Sequence, residues 1–280
     1  MLIRLSQAQL NLLETCPRKF QQVYLDQLGT PIASEQQDQM NWGSRFHLLM
    51  QQRELGLPLL TDTTDPLLQN SVDAFIQAAP ELFQQQAVFR QSEHRRTLEL
   101  EGYLLTVVYD LLILNPQQAQ ILDWKTYPLP QNQRWLAESW QTRLYPFVLA
   151  ETSDYSPEDI SITYWFVRAT QSASETSDSE ISDSERSNLK TSETKLQPQS
   201  LRFNYSTSQH QAIRSKLGGL LDQLTAWLKD YQAGTPFPQV EAAEDQCGFC
   251  TFDVRCQRHQ PETPVSEELL TLAEIQEVAL

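Results

Sequence analysis

No apolar run in this chain of 280 residues reaches the roughly 20 residues that a membrane-spanning helix needs. The opening MLIRLSQAQLNLLETC lacks the long apolar stretch and small-residue cleavage site of a signal peptide. A cytoplasmic address without a membrane partner is therefore expected. Positive charge is scarce: 21 Lys and Arg face 36 Asp and Glu, a net charge of −15. That deficit argues against broad, sequence-blind adhesion to nucleic acid, while leaving room for a local basic groove. Much of the excess acidity lies in two stretches, 171–197 and 241–280. Cysteine is scarce too, with only four in the chain. In a reducing compartment such thiols bind metals more readily than they pair.

The cysteines are split between the two ends. Cys16 stands alone, and Cys247, Cys250 and Cys256 form C-x2-C-x5-C. Four thiolates suit one tetrahedral zinc ion or one cuboidal iron–sulfur cluster. A shared site would close a loop of about 230 residues, worth roughly 5 kcal/mol in a chain-entropy treatment. A C-x2-C redox pair would leave Cys16 and Cys256 without a role.

Length and composition (40% hydrophobic, 20% charged) fit a globular chain with a sizeable core. Ser6 can cap a helix through Leu10 and Leu13, and Pro17 suits the first position of the next. Helices are expected over Met40–Leu55 and Pro66–Ala79, with no β pattern before about residue 96. Strands are expected at Thr97–Leu100, Leu104–Leu114 and Gln120–Trp124, with Gly102 and Asn115-Pro116 at the turns. A helix over Gln133–Thr152 should kink at Pro146. A strand at Ile160–Arg168 should pair with another at Leu201–Tyr205, and His210–Gln232 closes the series as a helix. The order gives one α/β domain over 1–280 with a mixed sheet. Residues 1–95 are its helical part and 96–235 its sheet core. A disordered insertion is expected over 170–200, a cysteine-bearing segment over 240–258, and an acidic tail over 259–280 with a short helix at Glu267–Val278.

Asp110 is a charge inside the apolar strand LLTVVYDLLIL, and unpaired burial would cost several kcal/mol. Asp123-Trp124-Lys125 ends the next strand, where alternation puts Asp123 and Lys125 on one face. In a meander these three side chains converge. Two carboxylates and an ammonium suit a hard cation such as Mg²⁺ or Mn²⁺, or a buried ion pair closing the sheet. His47 could add an imidazole ligand from a helix beside the sheet, although a lone helical histidine is more often structural. Gln141 and Tyr145 lie one helical turn apart and could contact a phosphate or hold the lysine.

Taken in order, these pieces resemble the PD-(D/E)XK nuclease superfamily. Within it they resemble the RecB-type branch with an iron–sulfur clasp, which includes CRISPR adaptation nucleases and the nuclease domains of helicase–nuclease repair complexes. The matching elements are Cys16-Pro17-Arg18-Lys19-Phe20, Gly43 to His47, Asp110, Asp123-Trp124-Lys125 with Thr126, Gln141 to Tyr145, and the C-x2-C-x5-C ending. The resemblance implies a restriction-endonuclease-like core whose termini join at the four cysteines. It implies that His47, Asp110, Asp123 and the Trp124 carbonyl bind a divalent metal and that Lys125 is catalytic. Gln141 and Tyr145 would support substrate and site geometry. Cys16, Cys247, Cys250 and Cys256 would hold a structural 4Fe–4S cluster, with zinc the alternative. The reaction implied is phosphodiester hydrolysis in DNA, on single strands or free ends as an exonuclease, in repair, recombination or CRISPR-type processing.

The chain departs from the family pattern at Val107, where a glycine is common three residues before the strand aspartate. A change of strand shape is expected there. The acidity points to a small groove or to a protein partner that supplies DNA affinity, and no helicase motif is present to unwind a duplex. Arg134 and Arg143, with Arg90, Arg95 and Arg96, are the candidate phosphate contacts. The competing readings are a non-catalytic DNA-end-binding or assembly subunit and a zinc-clasped structural protein.

Overall fold

A computed structural model describes residues 3–29, 33–58, 65–84, 87–167, 198–241 and 247–258. Two compact units emerge: Met1–Asn11 with Pro31–Ala226, and Leu12–Thr30 with Trp227–Leu280. The expected insertion over 170–197, the acidic tail and its short helix lie outside the described residues.

The first unit is built on a six-stranded mixed sheet: β1 (Ile3–Leu5), β2 (Phe89–Leu100), β3 (Tyr103–Asn115), β4 (Gln118–Lys125), β5 (Ile160–Phe166) and β6 (Gln199–Asn204). β3 pairs antiparallel with β2 and β4 and parallel with β1, while β4 and β5 are parallel and β5 and β6 antiparallel. The β2–β3 hairpin turns on Glu101 (φ 48°) and Gly102 (φ 78°), the two positive-φ positions a tight hairpin of matching twist requires.

The helices are α1 (Gln7–Thr15), α2 (Pro17–Phe20), α3 (Ser34–Glu54), α4 (Pro66–Ala78), α5 (Pro80–Gln84), α6 (Gln133–Glu138), α7 (Trp140–Glu151) and α8 (Thr207–Gln232). The start of α4 is set by Asp65, whose Oδ1 accepts the Leu68 N–H at 3.0 Å, with Pro66 in the first turn. Its buried residues Leu68, Val72 and Phe75 recur at helical spacing. They join Trp42, Phe46 and Met50 of α3 and Leu111, Ile113, Leu122 and Trp124 of the sheet in one apolar cluster. α7 packs against β2, β3 and β5. The architecture is a mixed central sheet flanked by helices, consistent with a restriction-endonuclease-like fold.

The structure corrects two expectations. Strand structure begins before residue 96, because β1 occupies Ile3–Leu5 and β2 starts at Phe89. The first eight residues of β2, FRQSEHRR, are too polar to show alternation. The 133–152 region is two helices broken at Ser139, with Pro146 inside the second. Ser139 is extended (φ −65°, ψ 148°), and its hydroxyl accepts the Thr142 N–H at 3.3 Å to start α7. A serine cap offsets the broken turn, whereas Pro146 costs one bond inside a well-packed helix. Val107 itself pairs with Arg96, and the β2–β3 pairing is interrupted three residues further along β3, where Asp110 faces Glu93.

Within the second unit, α2 and the residues that follow it are tied to the end of α8 and the segment after it. Arg18 Nε donates to the Phe237 carbonyl at 2.6 Å, the Phe237 N–H donates to Gln21 Oε1 at 2.8 Å, and Tyr231 Oη donates to Asp26 Oδ1 at 2.6 Å.

Phe75 is fully buried, with its ring against Phe46, Phe83, Trp124 and Trp165. Phe75→Ala should lower unfolding free energy by about 3–5 kcal/mol. Urea denaturation will read this as a lower midpoint; an unchanged midpoint would contradict the described core.

Candidate active site

The site arises from the way strands share one edge of β3. On one side β2 runs along nearly all of β3. On the other, β1 pairs only with Tyr103–Leu105 and β4 only with Leu111–Asn115. Residues 106–110 of β3 are left without a strand partner on that edge. Asp110 stands where β4 diverges, and its Oδ2 accepts the Trp124 N–H at 2.7 Å. The carboxylate thus replaces the backbone acceptor that a continuing ladder would have provided. The Trp124 carbonyl shares the side of the strand taken by its N–H.

Register also sets three acids in a row. Glu93 of β2 stands opposite Asp110 of β3, between the pairs Ser92–Leu111 and His94–Tyr109. Asp123 of β4 stands opposite Asp110 one step beyond the last β3–β4 pair, Leu111–Leu122. Glu93 has φ 50°, a left-handed conformation that is costly for a non-glycine residue inside a strand. His47 comes from α3, with Nδ1 3.3 Å from Asp110 Oδ1. One ligand atom from each of His47, Glu93 and Asp110 lies within 4.8 Å of the others. Burial alone would lower the His47 pKa. The hydrogen bond and charge of Asp110, then the charges of Asp123 and Glu93, outweigh it and raise the pKa to about 9.

Along β4, Leu122 and Trp124 enter the apolar cluster while Asp123 and Lys125 turn toward α7. Asp123 is fully enclosed. Burial and then the charge of Asp110 raise its pKa, against the opposing pull of Lys125. Lys125 Nζ lies 2.6 Å from Asp123 Oδ1, a charge-assisted contact to that buried oxygen. Gln141 bridges the pair: its Nε2 donates to Asp123 Oδ2 at 2.5 Å, and its Oε1 accepts from Lys125 Nζ at 2.7 Å. The amide can face only one way, because a carboxylate only accepts and an ammonium only donates. Tyr145 sits one turn further along α7, touching Gln141 and the Val108 backbone; burial, then Asp123 and Asp110, raise its pKa.

Gly43 explains how α3 comes close enough to deliver His47. A Cβ at Gly43 would lie 2.9 Å from Thr126 Oγ1 but 3.9 Å from Thr126 Cβ and Cγ2. The residue after Lys125 therefore occupies the space that glycine leaves. His47, Asp110 and Tyr145 line a cleft of about 970 Å³, together with Glu93, residues of α3, and Thr126, Tyr127 and Pro128. The arginines named from sequence are elsewhere. Arg90 pairs with Glu54 at 2.6 Å, Arg96 donates to the Thr152 carbonyl at 2.7 Å, and Arg134 pairs with Glu138 at 2.7 Å. Arg143 lines a separate cavity with Phe203 and Ile213, and Arg95 is not among the cleft residues.

In the second unit, Cys16, Cys247, Cys250 and Cys256 line one cavity of about 250 Å³, none of them in a disulfide. Cys16 caps α2, its Sγ accepting the Lys19 N–H at 3.4 Å, and Gln22 Nε2 approaches Cys256 Sγ at 4.0 Å. Burial, then Cys16, raises the Cys256 pKa, with Arg18 opposing.

The family model of the PD-(D/E)XK nuclease superfamily matches residues 4–257. The chain belongs to that superfamily. No curated protein matches it significantly. Among solved structures it is similar to a protein from Eubacterium rectale provisionally named an exonuclease, with 11% identity, 95% of this chain and 92% of that one covered, and a TM-score of 0.53. A second structure, SSO0001, is 10% identical over 90% of this chain and 85% of that one, with a TM-score of 0.34. PD-(D/E)XK nucleases hydrolyse phosphodiester bonds and generally use divalent metals. The residues present fit such an ion: the imidazole of His47 and the hard carboxylate oxygens of Glu93 and Asp110 come within 4.8 Å of one another. Sequence reasoning missed Glu93. The signal lay in the β2–β3 hairpin, because counting back from Gly102 puts Glu93 opposite Asp110.

The Gly43–Thr126 contact is directly testable in this nuclease. Gly43→Ala should cost about 1–3 kcal/mol of local fit and lower metal-dependent hydrolysis about tenfold or more. Gly43→Ala combined with Thr126→Ala removes the close oxygen and should restore most of the rate. Failure of the double variant to recover would show that the contact does not position His47.

Proposed function

We propose that this protein is a metal-dependent DNA nuclease acting on single strands or free ends. The observation that carries the reading is the closed network of Asp110, Asp123, Lys125 and Gln141, with His47 at its mouth. His47, Asp110, Asp123 and the Trp124 carbonyl would hold the ion, and Glu93 lies with His47 and Asp110 within reach of the same position. A divalent ion bound there supplies positive charge against a phosphate oxygen and lowers the pKa of a water. Lys125 adds a fixed positive charge facing the phosphate as negative charge builds up. Gln141 holds that ammonium and the Asp123 carboxylate in a single geometry. Tyr145 closes the wall of the cleft above them and limits the poses a phosphodiester can take. The intact network supports a working enzyme over a non-catalytic end-binding subunit. Entry to duplex DNA would rely on fraying or on a partner protein that unwinds it.

The same reading assigns a structural 4Fe–4S cluster to Cys16, Cys247, Cys250 and Cys256. What supports it is that all four free cysteines line one cavity, a donor set that suits such a cluster and equally a tetrahedral zinc ion. Anaerobically purified protein should be brown with broad visible absorption. A colourless protein carrying stoichiometric zinc would replace the cluster with zinc.

Wild-type protein with Mn²⁺ or Mg²⁺ should degrade end-labelled DNA, and EDTA should stop it. Lys125→Ala should cut about 10²–10³-fold more slowly, the scale of losing one preorganised donor, with its melting curve recorded to exclude unfolding. Equal cutting by folded Lys125→Ala protein would remove the lysine from the mechanism.

A further inference from the structure

The wall of the cleft is unlike a surface built to grip phosphates. Among the described residues that line it there is no lysine or arginine. α3 contributes the uncharged side chains Gln36, Gln39, Ser44 and Gln51, and between them the apolar Met40 and Leu48. Met40 and Leu48 are each 51% exposed, and Tyr127, after β4, is 39% exposed. Met40, Ser44 and Leu48 follow one another at four-residue intervals, so they form one stripe on one helix face. From Gln36 to Gln51 the stripe covers about 22 Å, with His47 inside its span.

A duplex shows phosphates on its outside and keeps its bases stacked within. Such a ligand would bring its charges to a neutral wall on a chain of net charge −15, and it would leave Met40, Leu48 and Tyr127 in water. An unpaired strand can turn its bases outward. Flat base faces can cover a methionine, a leucine and a tyrosine ring, and amide side chains can bond base edges. At about 3.4 Å per stacked nucleotide, the stripe has room for several nucleotides.

We propose that this cleft selects single-stranded DNA by base contact rather than by phosphate charge, with Met40, Leu48 and Tyr127 as the stacking surfaces. The inference rests on the nuclease reading above and adds how the strand is held. Phosphates other than the one being cut face solvent. Strand binding should therefore depend only weakly on salt, which is unusual for a nucleic-acid enzyme.

Fluorescence anisotropy of a labelled oligothymidylate and of a blunt duplex of equal length, with Ca²⁺ in place of Mg²⁺, tests this. The single strand should bind about tenfold or more tightly than the duplex. The slope of log affinity against log salt should be shallower than about −2, given roughly −0.7 per neutralised phosphate on a single strand. Met40→Ala with Leu48→Ala, and separately Tyr127→Ala, should each weaken strand binding about tenfold, the scale of losing one stacked base. Val88→Ala, at an exposed apolar position that is not among the cleft residues, should bind as wild type does. Equal affinity for duplex, a steep salt slope, no binding of the oligonucleotide, or cleft variants that bind normally would overturn the inference; in the last case the apolar stripe would suit a protein partner. If wild type still cuts DNA with metal, that failure touches only the mode of binding. Absence of metal-dependent cutting of any DNA would instead remove the nuclease reading itself.

Discussion

A carboxylate enclosed as Asp123 is has to be met by positive charge, and most of the first unit is arranged around that demand. Lys125 meets it from the same strand face, and Gln141 keeps the two from separating. Asp110 stands one register position away on β3, Glu93 one further on β2, and among the described residues the lysine is the fixed positive charge drawn into the network. A row of three acids served by one ammonium and one imidazole is short of positive charge. A hard cation removes the deficit. Burial and then the charge of Asp110 raise the Asp123 pKa, and the acids around His47 raise its pKa against burial.

The backbone makes this row possible by ending a ladder early. β1 and β4 divide one edge of β3 between them, and in the gap Asp110 accepts the Trp124 N–H that no strand is there to receive. The gap also admits α3, since Gly43 lets the helix settle against Thr126. One missing Cβ and one interrupted edge therefore set the distance from imidazole to carboxylates. Substrate then meets a site whose charge is concentrated at the metal position and whose outer wall is neutral.

Much of this was legible in the chain. LLTVVYDLLIL announces a buried strand with one misplaced charge, and alternation alone puts Asp123 and Lys125 on a common face. Gln141 and Tyr145 follow from helical spacing. Glu93 was hidden because the early part of β2 is polar on both faces, so periodicity gives no strand there. β1 is three residues long, below the length at which alternation can be read. Ser139 breaks the 133–152 helix through a local cap, which composition does not reveal. For the arginines, a sequence shows that charges exist, but not that Glu54, Glu138 and a backbone carbonyl engage Arg90, Arg134 and Arg96. The cysteine spacing pointed to a shared site, and the second unit does gather all four around one cavity.

The central claim is that the acids of β2, β3 and β4 form a site short of positive charge that a divalent ion completes. Calorimetric titration of Mn²⁺ into wild-type protein and into Asp110→Asn protein tests it most directly, without reference to turnover. Saturable binding to wild type, weakened about tenfold or more by loss of the Asp110 charge, is the predicted result. Identical isotherms for the two proteins, or no binding to either, would contradict the account.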